Sequence, residues 1–432
     1  MAGVESEALG ARERMSLKLH SNNVTCAAFW LEEDVVCSGS MDGTLMLWRV
    51  HDGWTHRLRA HTGWVTCCAF QPFGATLVSG SADETLRLWH LSALLVADDS
   101  GETNVNERAN GSNGSNGSGS KRSVSIELKS YGGCVKCCCF SPSGALVCSG
   151  SADNFVRVWR VRDRAFLHTL RGHKNWVLAL AFNPVLPAQF ATGSADGTIR
   201  LWDLSPSTPP SASAAAAASA SSSCIAVLKP AKSQSGVSLG GSKEVTCCCF
   251  IPDGSLLCSA GADKVVRIWG LASGTCQRVL HGHRGQINSL AFQGGTACLL
   301  ASVEGNGAFH HFSSDNSMIL WDLSASVGGE LIVRLLGHKR RVNCCAFNGT
   351  GSLVVTGAND NTVRLWLLST SLQASGPGEE GRLRRSDRGS EGGSERGGVA
   401  DLGWGVDSES DAGSTTASVT QAGSGTTARE RE

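Results

Sequence analysis

The chain has 432 residues, 41% apolar and 18% charged, and its 38 Lys+Arg balance 38 Asp+Glu. Apolar content at this level supports a large core and excludes wholesale disorder. Zero net charge excludes a long-range field that would draw in nucleic acid or an acidic membrane, so any charged partner has to be read by a local patch.

In chain order, Met1 to Leu19 mixes both signs of charge without an apolar stretch of signal-peptide length, and nowhere do 18 apolar residues run together. The expectation is a soluble cytoplasmic or nuclear protein that makes no membrane contact. Its eighteen cysteines then read as reduced thiols, and the Asn-Gly-Ser runs between Asn110 and Ser118 as linker.

From there a unit repeats. Tryptophans close seven similar segments at Trp48, Trp89, Trp159, Trp202, Trp269, Trp321 and Trp366, each after an alternating apolar run such as Leu86-Arg87-Leu88. Six residues before each stands an aspartate: Asp42, Asp83, Asp153, Asp196, Asp263, Asp315 and Asp360. The shorter tryptophan spacings give a unit in the low forties, and the longer ones carry insertions. Each unit offers a strand such as Val65 to Phe70, a Pro/Gly/Ser turn, a second strand such as Thr76 to Ser79, the aspartate turn and the tryptophan strand. Three short strands with a connecting fourth make one propeller blade.

Over roughly Arg14 to Leu368 the sequence resembles WD40-repeat proteins, which implies an all-β fold: a seven-bladed propeller with disordered insertions and a disordered C-terminal tail. The resemblance also implies a hydrogen-bonded His, Ser/Thr, Asp and Trp set inside each blade. That set falls on His20, Ser38, Asp42 and Trp48; on His61, Ser79, Asp83 and Trp89; on His173, Thr192, Asp196 and Trp202; and on His338, Thr356, Asp360 and Trp366. Three blades depart from it. Tyr131 and Gly241 stand where the third and fifth histidines belong, and the sixth blade keeps His283 and Trp321 around an interrupted middle. Removing residues 304–312 would restore Ser302-Val303-Ser313-Ser314-Asp315, so that stretch reads as an inserted loop or a gene-model error.

Ring closure in the family uses an early strand, here expected at Ser16 to Leu19 against the last blade, because an open ring would leave unpaired edges. The expected organisation is an N-terminal tail at 1–13, the propeller at 14–368 with insertions at 93–123, 205–223, 231–243 and 304–312, and a low-complexity tail at 369–432.

His, Ser and Asp within one blade superficially suggest a catalytic triad, but a nucleophile is needed once and this arrangement recurs, so no enzyme and no cofactor is expected. Eleven cysteines fall on inner strands, where consecutive side chains point to opposite faces, and a Cys-Cys-Cys run therefore cannot wrap one tetrahedral metal. Arg87, Arg157, Arg200, Arg267 and Arg364 each stand two before a blade tryptophan, which favours packing beside the ring's aromatics over a nucleic-acid stripe. What varies from blade to blade can carry specificity. The family's top-face positions fall on Asn23, Trp64, Cys134, Trp176, Glu244, Gln286 and Arg341, and Lys174, Arg284 and Lys339 join Arg340 and Arg341 to make blades four, six and seven basic. Trp64, Trp176 and Arg341 are of the types enriched in binding hot spots. The function expected is a protein-interaction scaffold whose top face takes partner proteins, an acidic or phosphorylated peptide among them. Two alternatives stay open. Cys-Cys-Cys-Phe-Ser-Pro-Ser-Gly is similar to WD40 proteins with SAM and U-box domains, which suggests a substrate receptor of a ubiquitin ligase. Ser38 to Trp48 and Asn175-Trp176-Val177 are similar to stretches of centriolar WD40 proteins.

Overall fold

The computed structural model describes residues 11–30, 34–59, 61–91, 102–104, 125–129, 132–205, 224–229, 243–293, 299–305, 316–323 and 330–368. Contacts divide the chain into Met1–Gly378 and Glu379–Glu432, and every described residue lies in the first unit. Its strands form seven sheets, one per repeat, each with four antiparallel strands from an inner strand outward. The inner strands are Val24–Trp30, Val65–Phe70, Val135–Phe140, Val177–Phe182, Val245–Phe250, Gln286–Phe292 and Val342–Phe347. Each packs on the next and the seventh packs on the first, so the fold is a closed seven-bladed β-propeller.

Closure falls on Ala11–Leu17, which runs antiparallel to Val363–Leu368 as the outer strand of blade seven. It starts earlier than the expected Ser16 and takes Ala11 to Glu13 out of the expected tail, because Ala11 buries its methyl in the blade-seven core and Arg364 donates to the Glu13 carboxylate. The insertion within blade two, between Thr85–His90 and the outer strand Ser125–Lys129, also differs from expectation. Glu102–Asn104 adds to blade one as a fifth strand, parallel to Thr55–Arg59.

The blades interlock through one repeated contact. The valine that opens an inner strand fills the space above a glycine of the preceding blade: Val65 over Gly39, Val135 over Gly80, Val177 over Gly150, Val245 over Gly193, and Val24 over Gly357 across the closure. A Cβ on any of these glycines would stand within 2.8 Å of that valine, so the glycine admits the neighbouring blade rather than bending its own strand. Nearer the channel, Thr25, Thr66 and Thr246 donate hydroxyls to Val65, Val135 and Ile287 carbonyls, and Asn288 and Asn343 donate amides to Val342 and Val24. On the opposite end of the blades, Gln71, Asn183 and Gln293 reach the turn-glycine carbonyls of Gly144, Gly254 and Gly351 in the following blade.

Eleven cysteines lie on the inner strands, where burial pushes thiols such as Cys248 and Cys345 up to about 12. They pack as small apolar groups, and among the described residues no cluster of His, Cys, Asp and Glu is arranged to hold a metal ion. No helix among the described residues is long and apolar enough to cross a membrane.

Candidate functional site

The upper face is the end of the ring where the aspartate turns meet the loops entering the inner strands. Its geometry is set by the internal blade network. In blade two His61 Nδ1 pairs with Asp83 at 2.9 Å and Nε2 with the Ser79 hydroxyl at 2.7 Å, and the Trp89 indole donates to the same hydroxyl at 2.9 Å. His173, Thr192, Asp196 and Trp202 repeat this in blade four, and His338, Thr356, Asp360 and Trp366 in blade seven. Blade one stops at three members: His20 joins Asp42 and Ser38, whereas the Trp48 indole N–H finds no acceptor among the described residues.

Each of these aspartates also closes its own turn by accepting from a threonine two residues on: Thr44, Thr85, Thr198 and Thr362 donate both amide and hydroxyl in blades one, two, four and seven, the hydroxyl bond being the shorter in each. The threonines occur only where the histidine does, a pattern visible in the sequence but not used there. Burial alone would raise these carboxyls. Hydrogen bonds from the histidine and the threonine outweigh it and hold Asp42, Asp83, Asp196 and Asp360 well below the ordinary carboxylate range.

Where the histidine is missing, arginine takes its place. Arg157 donates to Asp153 at 2.6 Å in blade three, and Arg267 donates to Asp263 in blade five. Trp159 and Trp269 remain buried, and Trp269 still donates to Ser259. The arginines two before the tryptophan therefore do more than lie beside an aromatic: Arg87 and Arg364 pair with Glu127 and Glu13 of the outer strands.

Blade six corrects the expectation most. Glu304 and Gly305 do not open an insertion but complete the strand Leu299–Gly305. Glu304 is 0% exposed. Its carboxylate accepts from His283 at 2.9 Å and from the Arg284 and Gly285 amides, and its other oxygen from Ser317. His283 bonds Ser302 at 2.6 Å, and Trp321 donates to the same hydroxyl. Glu304 thus takes the role assigned to Asp315, which lies outside the described residues, as do 306–312. The extra methylene lets a strand residue reach the histidine without an aspartate turn. Burial would raise Glu304, but the bonds from His283 and the two amides hold it at about 2, against an ordinary 4.5.

A pH dependence follows. Glu304 and the four aspartates are depressed on folding, so their stabilisation is fully present above their ordinary values and is lost as pH falls through the folded ones. Tm measured by circular dichroism should hold from pH 7 to about 5 and drop steeply between about 4 and 2. A Tm unchanged at pH 3 would contradict these carboxylate networks.

The network also fixes the face that solvent sees. The carbonyls of Asn23, Trp64, Cys134, Trp176, Glu244 and Arg341 all accept from the residue before the turn aspartate, so these six positions are structurally equivalent. Lys174, Arg284 and Lys339 each give their backbone amide to the acid of their blade and leave their side chains exposed, as is Arg340. Trp64 and Trp176 are 55% and 49% exposed. Arg341 differs from the free charge expected: it is half-buried over Gly305 and donates to Asn288. It lines a cavity of about 390 Å³ at the channel mouth together with Trp176, Lys136, Glu244 and Asn343. Trp64, Lys174, Arg284, Lys339 and Arg340 lie outside that cavity.

Three cations were not singled out in the sequence. Lys243 and Lys264 are exposed on blade five, filling the gap between the basic residues of blades four and six. Lys136 stands on its inner strand where Thr or Asn recurs, with Nζ 4.9 Å from the Trp176 ring centroid. The break in that recurring position was the available signal.

The family profile described as "WD domain, G-beta repeat" matches residues 12–49, 54–90, 123–160, 164–203, 233–270, 274–322 and 329–366, well over half of the chain. The chain is 30% identical over 202 residues to a "Nuclear distribution protein PAC1" of Arthroderma otae, covering 47% of this chain and 41% of that protein. It is 25% identical over 254 residues to a "Guanine nucleotide-binding protein subunit beta" of Arabidopsis thaliana, covering 56% and 59%. Identity is also 25%, over 233 residues, to a "Periodic tryptophan protein 2" of the same plant, covering 54% and 22%. The chain therefore spans less than two thirds of these relatives' own lengths.

Proposed function

Because this chain belongs to the WD domain, G-beta repeat family, we propose that it is a non-enzymatic interaction platform whose upper face binds an acidic segment of a partner protein. One observation carries this reading. Lys174, Lys243, Lys264, Arg284, Lys339 and Arg340 form an exposed basic arc over four consecutive blades, while Asp196 and Asp360 are occupied by histidines and amides and Glu304 is buried. The acids of the blade networks are engaged inside the fold, Asp263 by Arg267 among them, so the cations outnumber Glu244, the acid that lines the channel mouth, and the rim is positive although the chain as a whole is neutral. Trp176 and Trp64 add apolar contact area of the kind that dominates binding energy. Carboxylates and phosphates both suit such an arc.

Charge reversal at Lys174, Arg284 and Lys339 tests this by affinity purification and mass spectrometry against the unaltered full chain. Bound partners should be lost and their retention should fall with salt. Trp64→Ala with Trp176→Ala should weaken the same partners by about 2 kcal/mol or more, the cost typical of a hot-spot aromatic. If every partner stays with both variants, the upper face is not the binding surface.

A further inference from the structure

The lower face carries a backbone anomaly. In blades three, five and seven the turn leaving the inner strand closes on a left-handed glycine, Gly144, Gly254 or Gly351, whose amide bonds back three residues. Blade two has the Pro-x-Gly order of blades three and five at Pro72-Phe73-Gly74, where blade seven has Gly349-Thr350-Gly351. There the left-handed residue is Phe73, with φ 53°, although a glycine stands next to it. That conformation is costly for a bulky side chain, and such outliers concentrate at functional sites. Its effect here is display: Phe73 is 84% exposed.

Its neighbourhood is basic. Gln71 donates to the Gly144 carbonyl of blade three, and a Cβ on Gly144 would stand 3.2 Å from the Pro72 carbonyl. Ala145, beside Gly144, accepts from the Val161 amide, which opens the blade-three turn Val161 to Ala165. In that turn Arg160 holds Asp163 at 2.9 Å, while Arg162 and Arg164 are exposed and have no ion pair among the described residues. Phe166 follows at once, 55% exposed.

We propose that Phe73, Phe166, Arg162 and Arg164 form a second docking surface, for a partner's acidic segment carrying an apolar side chain: the apolar group lies against the phenylalanines and the carboxylates pair with the arginines. Charge complementarity selects this occupant. Two copies of the surface facing each other would oppose arginine to arginine, and two exposed cations are few for a phosphate backbone. The surface is separate from the upper face, so the ring can hold two partners at once, and the proposal does not depend on the upper-face reading.

The probe is a fluorescein-labelled decapeptide alternating Glu with Leu and Phe, followed by anisotropy. The full chain carries Lys174→Glu, Arg284→Glu and Lys339→Glu, so that only the lower face is read. Phe73→Asn and the pair Arg162→Glu with Arg164→Glu should each weaken binding about tenfold or more. Asn tolerates the left-handed conformation, so Phe73→Asn should keep or raise Tm, which separates lost binding from lost folding. Affinity unmoved by both variants overturns the proposal. So does a ten-nucleotide RNA that binds as tightly and is lost with the same variants, or concentration-dependent self-association that Phe73→Asn abolishes.

Discussion

Deleting residues 1–17 should leave a chain that no longer folds as a soluble monomer. Ala11–Leu17 supplies the outer strand of blade seven through six registered pairs, from Ala11↔Leu368 to Leu17↔Val363. Ala11, Met15 and Leu17 pack into cores that also hold Leu368, Val363 and Leu365. Losing these contacts and baring the edge of Val363–Leu368 should cost on the order of 5 kcal/mol, a large part of the roughly 5–15 kcal/mol that stabilises a typical domain. The deletion ties the two ends of the ring together in one measurement. Light scattering should show aggregation and calorimetry a lowered, less cooperative transition, and a peptide spanning residues 10–20 added in trans should restore part of the loss. A monomeric truncated chain with unaltered Tm would mean that the ring is held shut by something else.

Glu304→Ala should be the most damaging single substitution. It would leave His283, the Arg284 and Gly285 amides and Ser317 without their shared acceptor inside a site closed to water. Removing one partner of a buried charged network typically costs about 3–5 kcal/mol. Glu304→Gln keeps one acceptor oxygen for His283 and should fall between the two in Tm. Glu304→Asp shortens the reach by a methylene and should lose the amide bonds first. Asp196→Ala, which opens the corresponding network of blade four, should cost roughly 1–3 kcal/mol, since that aspartate is shielded less completely. The comparison with Asp315→Ala decides the assignment in blade six. If Asp315→Ala destabilises the chain as Asp196→Ala does, while Glu304→Ala is mild, then Asp315 and not Glu304 completes the network.

The seven blades, their order and most of the internal network were legible in sequence because each is enforced by local periodicity. A tryptophan and an aspartate at constant spacing, flanked by alternating apolar runs, specify a strand–turn–strand unit wherever they recur. The basic residues at Lys174, Arg284, Lys339 and Arg340 were legible for the same reason, since the histidine before them fixes their place on the rim. The interlocking valine and glycine pairs were hidden, because each joins residues of different units and no spacing within one unit records it.

Composition and repeat together determined the architecture, since every unit has to bury the same face against a neighbour and only a closed ring leaves none bare. Only the tertiary structure decided which groups satisfy one another where the repeat fails. Arg157 and Arg267 replace a missing histidine, and Glu304 replaces an aspartate from a different position. Arg341 is drawn from the surface to Asn288, and Phe73 takes a conformation that its glycine neighbour could have taken in its stead. A buried charge takes whatever partner lies within a few ångströms, and that distance is set by the packing of several strands at once rather than by the order of residues along one of them.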